Sequence, residues 1–199
     1  MNGRTEVIRV VEAFRAKHLP DLIPIDVFSL AEITLRLDII PFPGFLEKYN
    51  IDAGITPDFS GIYVDEESYV VWEKGPLWKQ NRLRFSVAHE LGHYELHREI
   101  ASRIRHETYG NFRDWINDES GKDSTEPQAN EFAGRLLVPL HRLEKFYDEF
   151  AKEFDGPFPN WREREGFRQK FTERTAGKFG VNAEVISIRL DREDLWPAN

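Results

Sequence analysis

The sequence predicts an α+β chain, mostly helical, with a small antiparallel sheet packed on one central helix. Three observations predict it. Seven segments repeat their apolar residues at helical spacing, only Leu37–Phe45 and Phe59–Lys74 are β-rich, and Gly and Pro punctuate the joins. The 199 residues, 40% of them hydrophobic and 13% aromatic, supply a sizeable core and argue against wholesale disorder.

The elements follow in order. Between Thr5 and Lys17, Val7, Val10, Val11 and Phe14 form one helical stripe, and Pro20 and Pro24 stop it. Asp26 is a candidate N-cap for a second helix carrying Val27, Leu30, Ala31, Ile33 and Leu35. The two prolines of LDIIPFPGF confine that strand to a sheet edge. FSGIYVD and SYVVWEK, separated at Glu66-Glu67, read as a β-hairpin. Its segment Gly61–Val64 is a candidate edge for pairing with an extended peptide, or else only supports the core. Helical periodicity returns over Leu83–Arg98. A polar stretch, Gly110–Pro127, reads as a loop, and Glu126–Leu137 and Leu140–Phe154 as helices. DGPFPN (155–160) is the best boundary in the chain. It divides an expected catalytic unit, 1–155, from a small C-terminal helical subdomain, 156–199, with helices over Trp161–Phe179 and Asn182–Arg192.

Composition excludes several functions. No cysteine is present, so disulfides, thiol catalysis and Cys-bound zinc are ruled out, and a reducing cytoplasm is the expected compartment. The opening MNGRTEVIRVVEAFRAKH is charged throughout and lacks the apolar stretch of a secretory signal. The longest run without Asp, Glu, Lys or Arg, Ile39 to Leu46, is far shorter than the ~20 apolar residues of a bilayer span, so no membrane role is expected. A net charge of −8 argues against broad nucleic-acid binding. The turn Ala176-Gly177-Lys178-Phe179-Gly180-Val181 is similar to that of a helix-turn-helix, with Val185 and Ile188 as expected buried positions. Protein recognition or a structural role is favoured there over DNA contact.

The chemistry lies in His89-Glu90-Leu91-Gly92-His93, an H-E-x-x-H match. Histidines four apart share one helix face and can meet on a single Zn²⁺ at ~2.0–2.1 Å per nitrogen. Glu90 falls beside the metal, placed to take a proton from water and pass it to a leaving amine. The bland alternative is a surface helix with two solvated histidines. The apolar neighbours Phe85, Val87, Ala88 and Leu91 weigh against it, since they bury the helix. Gly92, unfavourable by about 1 kcal/mol inside a helix, signals that something approaches the backbone closely there.

Catalytic zinc takes three protein ligands and leaves one position open. No third histidine follows at the metzincin spacing, so a carboxylate is sought. Glu126 is favoured, with Pro127 in the first helical turn and Asn130 one turn on, suited to orient a ligand imidazole. Glu131 is the competing ligand. His97, four residues after His93, is a candidate to support the ligands or face the substrate. Tyr94 and His141 are candidates for stabilising the oxyanion.

Arg82-x-Arg84-Phe85-x-x-Ala88-His89-Glu90-Leu91-Gly92-His93-x-x-x-His97, followed by Glu126-x-x-Ala129-Asn130-x-Phe132-Ala133-x-x-Leu136-Leu137-x-Pro139, resembles the ImmA/IrrE metallopeptidases. Val138 stands where that family often has Met, a volume-conserving change. The resemblance implies a zincin-like fold and one Zn²⁺ per chain held by His89, His93 and Glu126. It also implies cleavage of a helix-turn-helix repressor, and hence transcription regulation. The alternative is a non-catalytic binding protein on the same scaffold, acting by sequestering a partner or contacting DNA.

Overall fold

The computed structural model describes residues 3–101 and 125–197. Most of the polar stretch Gly110–Pro127 therefore lies outside the described residues. Helix α1 (Gly3–His18) buries Val7, Val11 and Phe14 of the stripe its spacing predicts and leaves Val10 half-buried. The Asp26 side chain accepts the Ser29 N–H at 3.0 Å and starts α2 (Val27–Ser29), which continues as a π-helical turn over Leu30–Thr34.

The sheet has three strands, β1 (Asp38–Phe42), β2 (Ala53–Ile55) and β3 (Gly61–Asp65), in the order β1-β3-β2. A short α3 (Phe45–Tyr49) lies between β1 and β2. Pro41 does lie on an edge strand, but the sheet is mixed rather than antiparallel. β1 runs parallel to β3, with Asp38 opposite Gly61, and β2 runs antiparallel to it, with Ala53 opposite Val64.

The expected hairpin does not form. After β3 the chain turns into α4 (Glu66–Val70). Asp65 is 2% exposed, and it caps this helix by accepting the Ser68 N–H and hydroxyl at 3.0 and 2.8 Å. It also accepts the Leu46 N–H at 2.9 Å. Glu66 and Glu67 then sit at the positive end of the helix dipole. Cap and charge together override the β-preference of Tyr69-Val70-Val71. Tyr69 packs on Phe28 instead, and Val70 remains exposed.

Helix α5 (Leu77–Ala101) is the axis of the molecule, and α6 (Thr125–Leu137) packs across it. Leu83, Val87, Ala88 and Leu91 face Ala129, Phe132, Ala133 and Leu136 in one continuous core, joined from α1 by Phe14 edge-on to Phe132. Gly92 is the point of closest approach. A Cβ there would stand 3.0 Å from Ala129 Cα and 3.1 Å from its carbonyl oxygen. Gly92→Ala gains about 1 kcal/mol of helix propensity and loses about 1–3 to overpacking. We expect a lower melting temperature and, because α6 is pushed off α5, weaker metal binding. Thermal denaturation with and without added Zn²⁺ measures both.

The C-terminal part consists of α7 (Leu140–Phe154), a 3-10 turn (Trp161–Glu163), α8 (Phe167–Phe179) and α9 (Ala183–Arg192). Its interior is aromatic, with Trp161 against Phe150 and Trp196, each at 5.3 Å between ring centroids. Gly180 takes the left-handed conformation (φ +63°) that turns α8 into α9. α5 grips that turn: Arg84 donates to the Gly180 carbonyl at 2.7 Å and Asn81 to that of Val181 at 3.0 Å. The burial expected along α9 is shifted in register. Ile186 and Leu190 are the buried residues, while Val185 is half-buried and Ile188 is 50% exposed. Among the described residues no helix is long and apolar enough to cross a membrane.

Candidate metal centre

The spacing of α5 puts His89 and His93 one turn apart on a single face. The close packing at Gly92 brings the start of α6 over that face. His89 Nε2 lies 3.1 Å from one carboxylate oxygen of Glu126, His93 Nε2 lies 3.1 Å from the other, and the two Nε2 atoms are 3.0 Å apart. Ligand atoms at ~2.0–2.1 Å from a tetrahedral zinc stand roughly 3.3 Å from one another, so the three groups already have close to the separation that such an ion needs.

The remote nitrogens fix the imidazoles. His89 Nδ1–H donates to Asn130 Oδ1 at 3.0 Å, which leaves the Nε2 lone pair facing inward. His93 Nδ1 is 2.9 Å from His97 Nδ1, and His97 Nε2 is 3.4 Å from Gln128 Oε1. With Nε2 of His93 kept free for an ion, the protons run in one direction. His93 Nδ1–H donates to His97, whose Nε2–H donates to Gln128. Burial, reinforced by the neighbouring His93, lowers the His97 pKa to about 4, so this ring is neutral at pH 7 and able to accept that proton.

The charges in the cluster favour a cation. Burial raises the Glu126 pKa, but hydrogen bonds and proximity to the two imidazoles outweigh it and hold the carboxyl below its ordinary value. Burial disfavours charge on His89, yet the carboxylates of Glu126 and Glu90 raise its pKa. Glu90 is 7% exposed, and burial raises its pKa above the usual carboxylate range. Its Oε2 accepts the Ile55 N–H from β2 at 2.7 Å, which leaves Oε1 as the oxygen available for a proton.

The remaining candidates have other neighbours. Glu131 pairs with Arg135 at 2.7 Å and Arg4 at 3.4 Å, in a cluster that also holds Glu193 and Arg189. Burial works against its charge, but these guanidiniums lower its pKa all the same. The Tyr94 hydroxyl accepts from Arg98 at 2.7 Å. His141 does not join the cluster. It lies beyond the far end of α6, an end that is itself 11 residues or ~16 Å along the helix from Glu126, and pairs with Asp21 at 2.9 Å. The segment Gly61–Val64, a candidate either for pairing with a peptide or for supporting the core, is the central strand, paired on both sides, which leaves it the supporting role. The edge that reaches the site is that of β2, through Ile55. Neither β2 nor Gln128 is among the sequence-based expectations. Gln128 has a signal, since it lies two residues after Glu126 in the α6 turn that faces the histidines.

A helix-borne histidine pair, a carboxylate from a second helix and a buried glutamate beside them form a site of the metallopeptidase type. The chain belongs to the peptidase M78 family: the model of that family, described as the IrrE N-terminal-like domain, matches residues 76–191, more than half of the sequence and all of the cluster. No curated protein matches the chain.

The fit to a metal can be tested through the groups behind the ligands. Loss of such a partner costs about 10–100-fold in metal affinity. We expect Asn130→Ala to weaken zinc binding by that factor while the fold is retained, as measured by competition with a chromophoric chelator.

Proposed function

We propose that the chain is a zinc-dependent endopeptidase of the cytoplasm, binding one Zn²⁺ through His89, His93 and Glu126, and that its substrate is a helix-turn-helix repressor whose cleavage relieves repression. The observation that carries the reading is the convergence of the two Nε2 atoms and the Glu126 carboxylate to 3.0–3.1 Å. An ion held there supplies Lewis-acid polarisation of a carbonyl and lowers the pKa of water.

The residues of the chain do the rest. Asn130 and His97 hold the imidazoles in the tautomer that presents Nε2. Glu90, its Oε2 tied to Ile55, takes a proton from water on Oε1 and returns it to the departing amine. Burial raises the affinity of Glu90 for that proton, which suits a group that must both accept and release it. Cleavage requires an extended segment at the site, whose main-chain groups can be bound irrespective of its sequence. This requirement favours a substrate with a flexible linker.

Incubation of the zinc-loaded protein with repressors encoded beside its gene, followed by mass spectrometry, tests the reading. A discrete cut in one of them is expected. Intact repressors throughout, with zinc bound, would contradict the substrate assignment.

A further inference from the structure

A cavity of about 590 Å³ opens between α5, α6 and α9, within the size range of ligand pockets. We propose that it is the specificity pocket of the endopeptidase site, and that it takes a leucine-sized apolar side chain of the polypeptide being cut. The inference rests on the proposed function and adds the substrate class.

The cavity adjoins the metal-binding cluster. Pro127 and Asn130 line it, and Asn130 holds His89 through its Oδ1, so pocket and cluster share a wall. On α5, Phe85, Ser86 and Arg82 precede His89 by four, three and seven residues and lie on its face. At 1.5 Å per residue they stand ~4.5–10 Å from His89 along the helix. An extended chain advances ~3.3 Å per residue, so a side chain one to three residues from the scissile bond reaches this depth. Arg82 also forms a two-pronged pair with Asp52, at 2.7 and 2.8 Å, directly before β2. Arg82 therefore ties the wall of the pocket to the strand that holds Glu90.

The lining sets an apolar wall among polar and charged groups. Arg82 is paired with Asp52 and Arg189 with Glu193 at 2.7 Å, Glu131 is shared between Arg135 at 2.7 Å and Arg192 at 3.8 Å, and Glu184 is exposed. Phe85, Val185 and Ile188 supply the apolar wall. Ile188 is half exposed on a helix whose Ile186 and Leu190 are fully buried. Apolar pockets discriminate modestly, by about 10–200-fold.

The test uses the full zinc-loaded chain labelled at Ile and Val methyls, titrated with N-acetyl-leucyl-alanine amide and N-acetyl-aspartyl-alanine amide. The leucyl probe should shift the Val185 and Ile188 methyl signals saturably, about 10-fold more tightly than the aspartyl probe, the lower end of what an apolar pocket supplies. Ile188→Asp should erase that preference as read at Val185, and Ile188→Ala, a milder change, should reduce it. Equal affinity for both probes, or no shift at these methyls, overturns the inference. Because the readout is binding, it separates from the parent reading. A chain that binds the leucyl probe here but cuts no polypeptide contradicts the endopeptidase and leaves the pocket standing.

Discussion

Replacing His89 with alanine takes the zinc content of the purified protein from about one per chain to near zero. The expectation follows from the ligand count. Three donors with one open position describe a catalytic zinc site, and removal of Nε2 leaves two. Loss of a supporting partner alone costs about 10–100-fold in affinity, so loss of a ligand should exceed that. His93→Ala should behave alike, and its side chain is more deeply buried, at 1% exposure against 14% for His89. Glu131→Gln is the informative contrast. It removes a carboxylate from the same helix as Glu126, but one surrounded by Arg4, Arg135 and Arg192. Its zinc content should be unchanged, and its stability should fall because buried guanidiniums lose their counter-charge. Elemental analysis of these three variants and the parent protein, prepared in parallel, checks the whole set.

Glu90→Gln has the other large effect: zinc retained at about one per chain and proteolysis reduced by ~10²–10⁴-fold, the usual contribution of a positioned general base. The substitution is nearly isosteric. The glutamine carbonyl can still accept the Ile55 N–H that Glu90 accepts at 2.7 Å, so the contact between α5 and β2 survives. What is lost is the basic oxygen. The variant also separates the enzyme from a non-catalytic binding protein on the same scaffold, since a protein acting only by sequestration would function normally with Glu90→Gln in place. Activity toward the proposed repressor substrate, measured beside zinc content, reads both effects from one preparation.

Much of this site is legible in the sequence because it is written at helical spacing. His89, His93 and His97 recur every four residues on α5, and Glu126 and Asn130 do so on α6. Gly92 is unfavourable inside a helix, and the helix crossing it marks is the one observed against Ala129. The features without a sequence signal depend on contacts distant along the chain. Ala53-Gly54-Ile55 is too short to show alternation and contains a glycine, so the strand that holds Glu90 has no local signature. By pattern Asp65 only ends a strand, whereas its carboxylate caps the next helix and ties in Leu46. In α9 the apolar pattern offers two faces: Ile186 and Leu190 turn inward, with Arg189 beside them paired to Glu193, and Ile188 is left at the surface.

X-ray absorption at the zinc edge of the loaded protein reads out whether two imidazoles and one carboxylate of this chain hold the ion. The expected spectrum has two imidazole nitrogens at ~2.0–2.1 Å, with oxygen ligands completing a four-coordinate shell. A shell of oxygen alone, or one unchanged in the His89→Ala protein, would contradict that assignment.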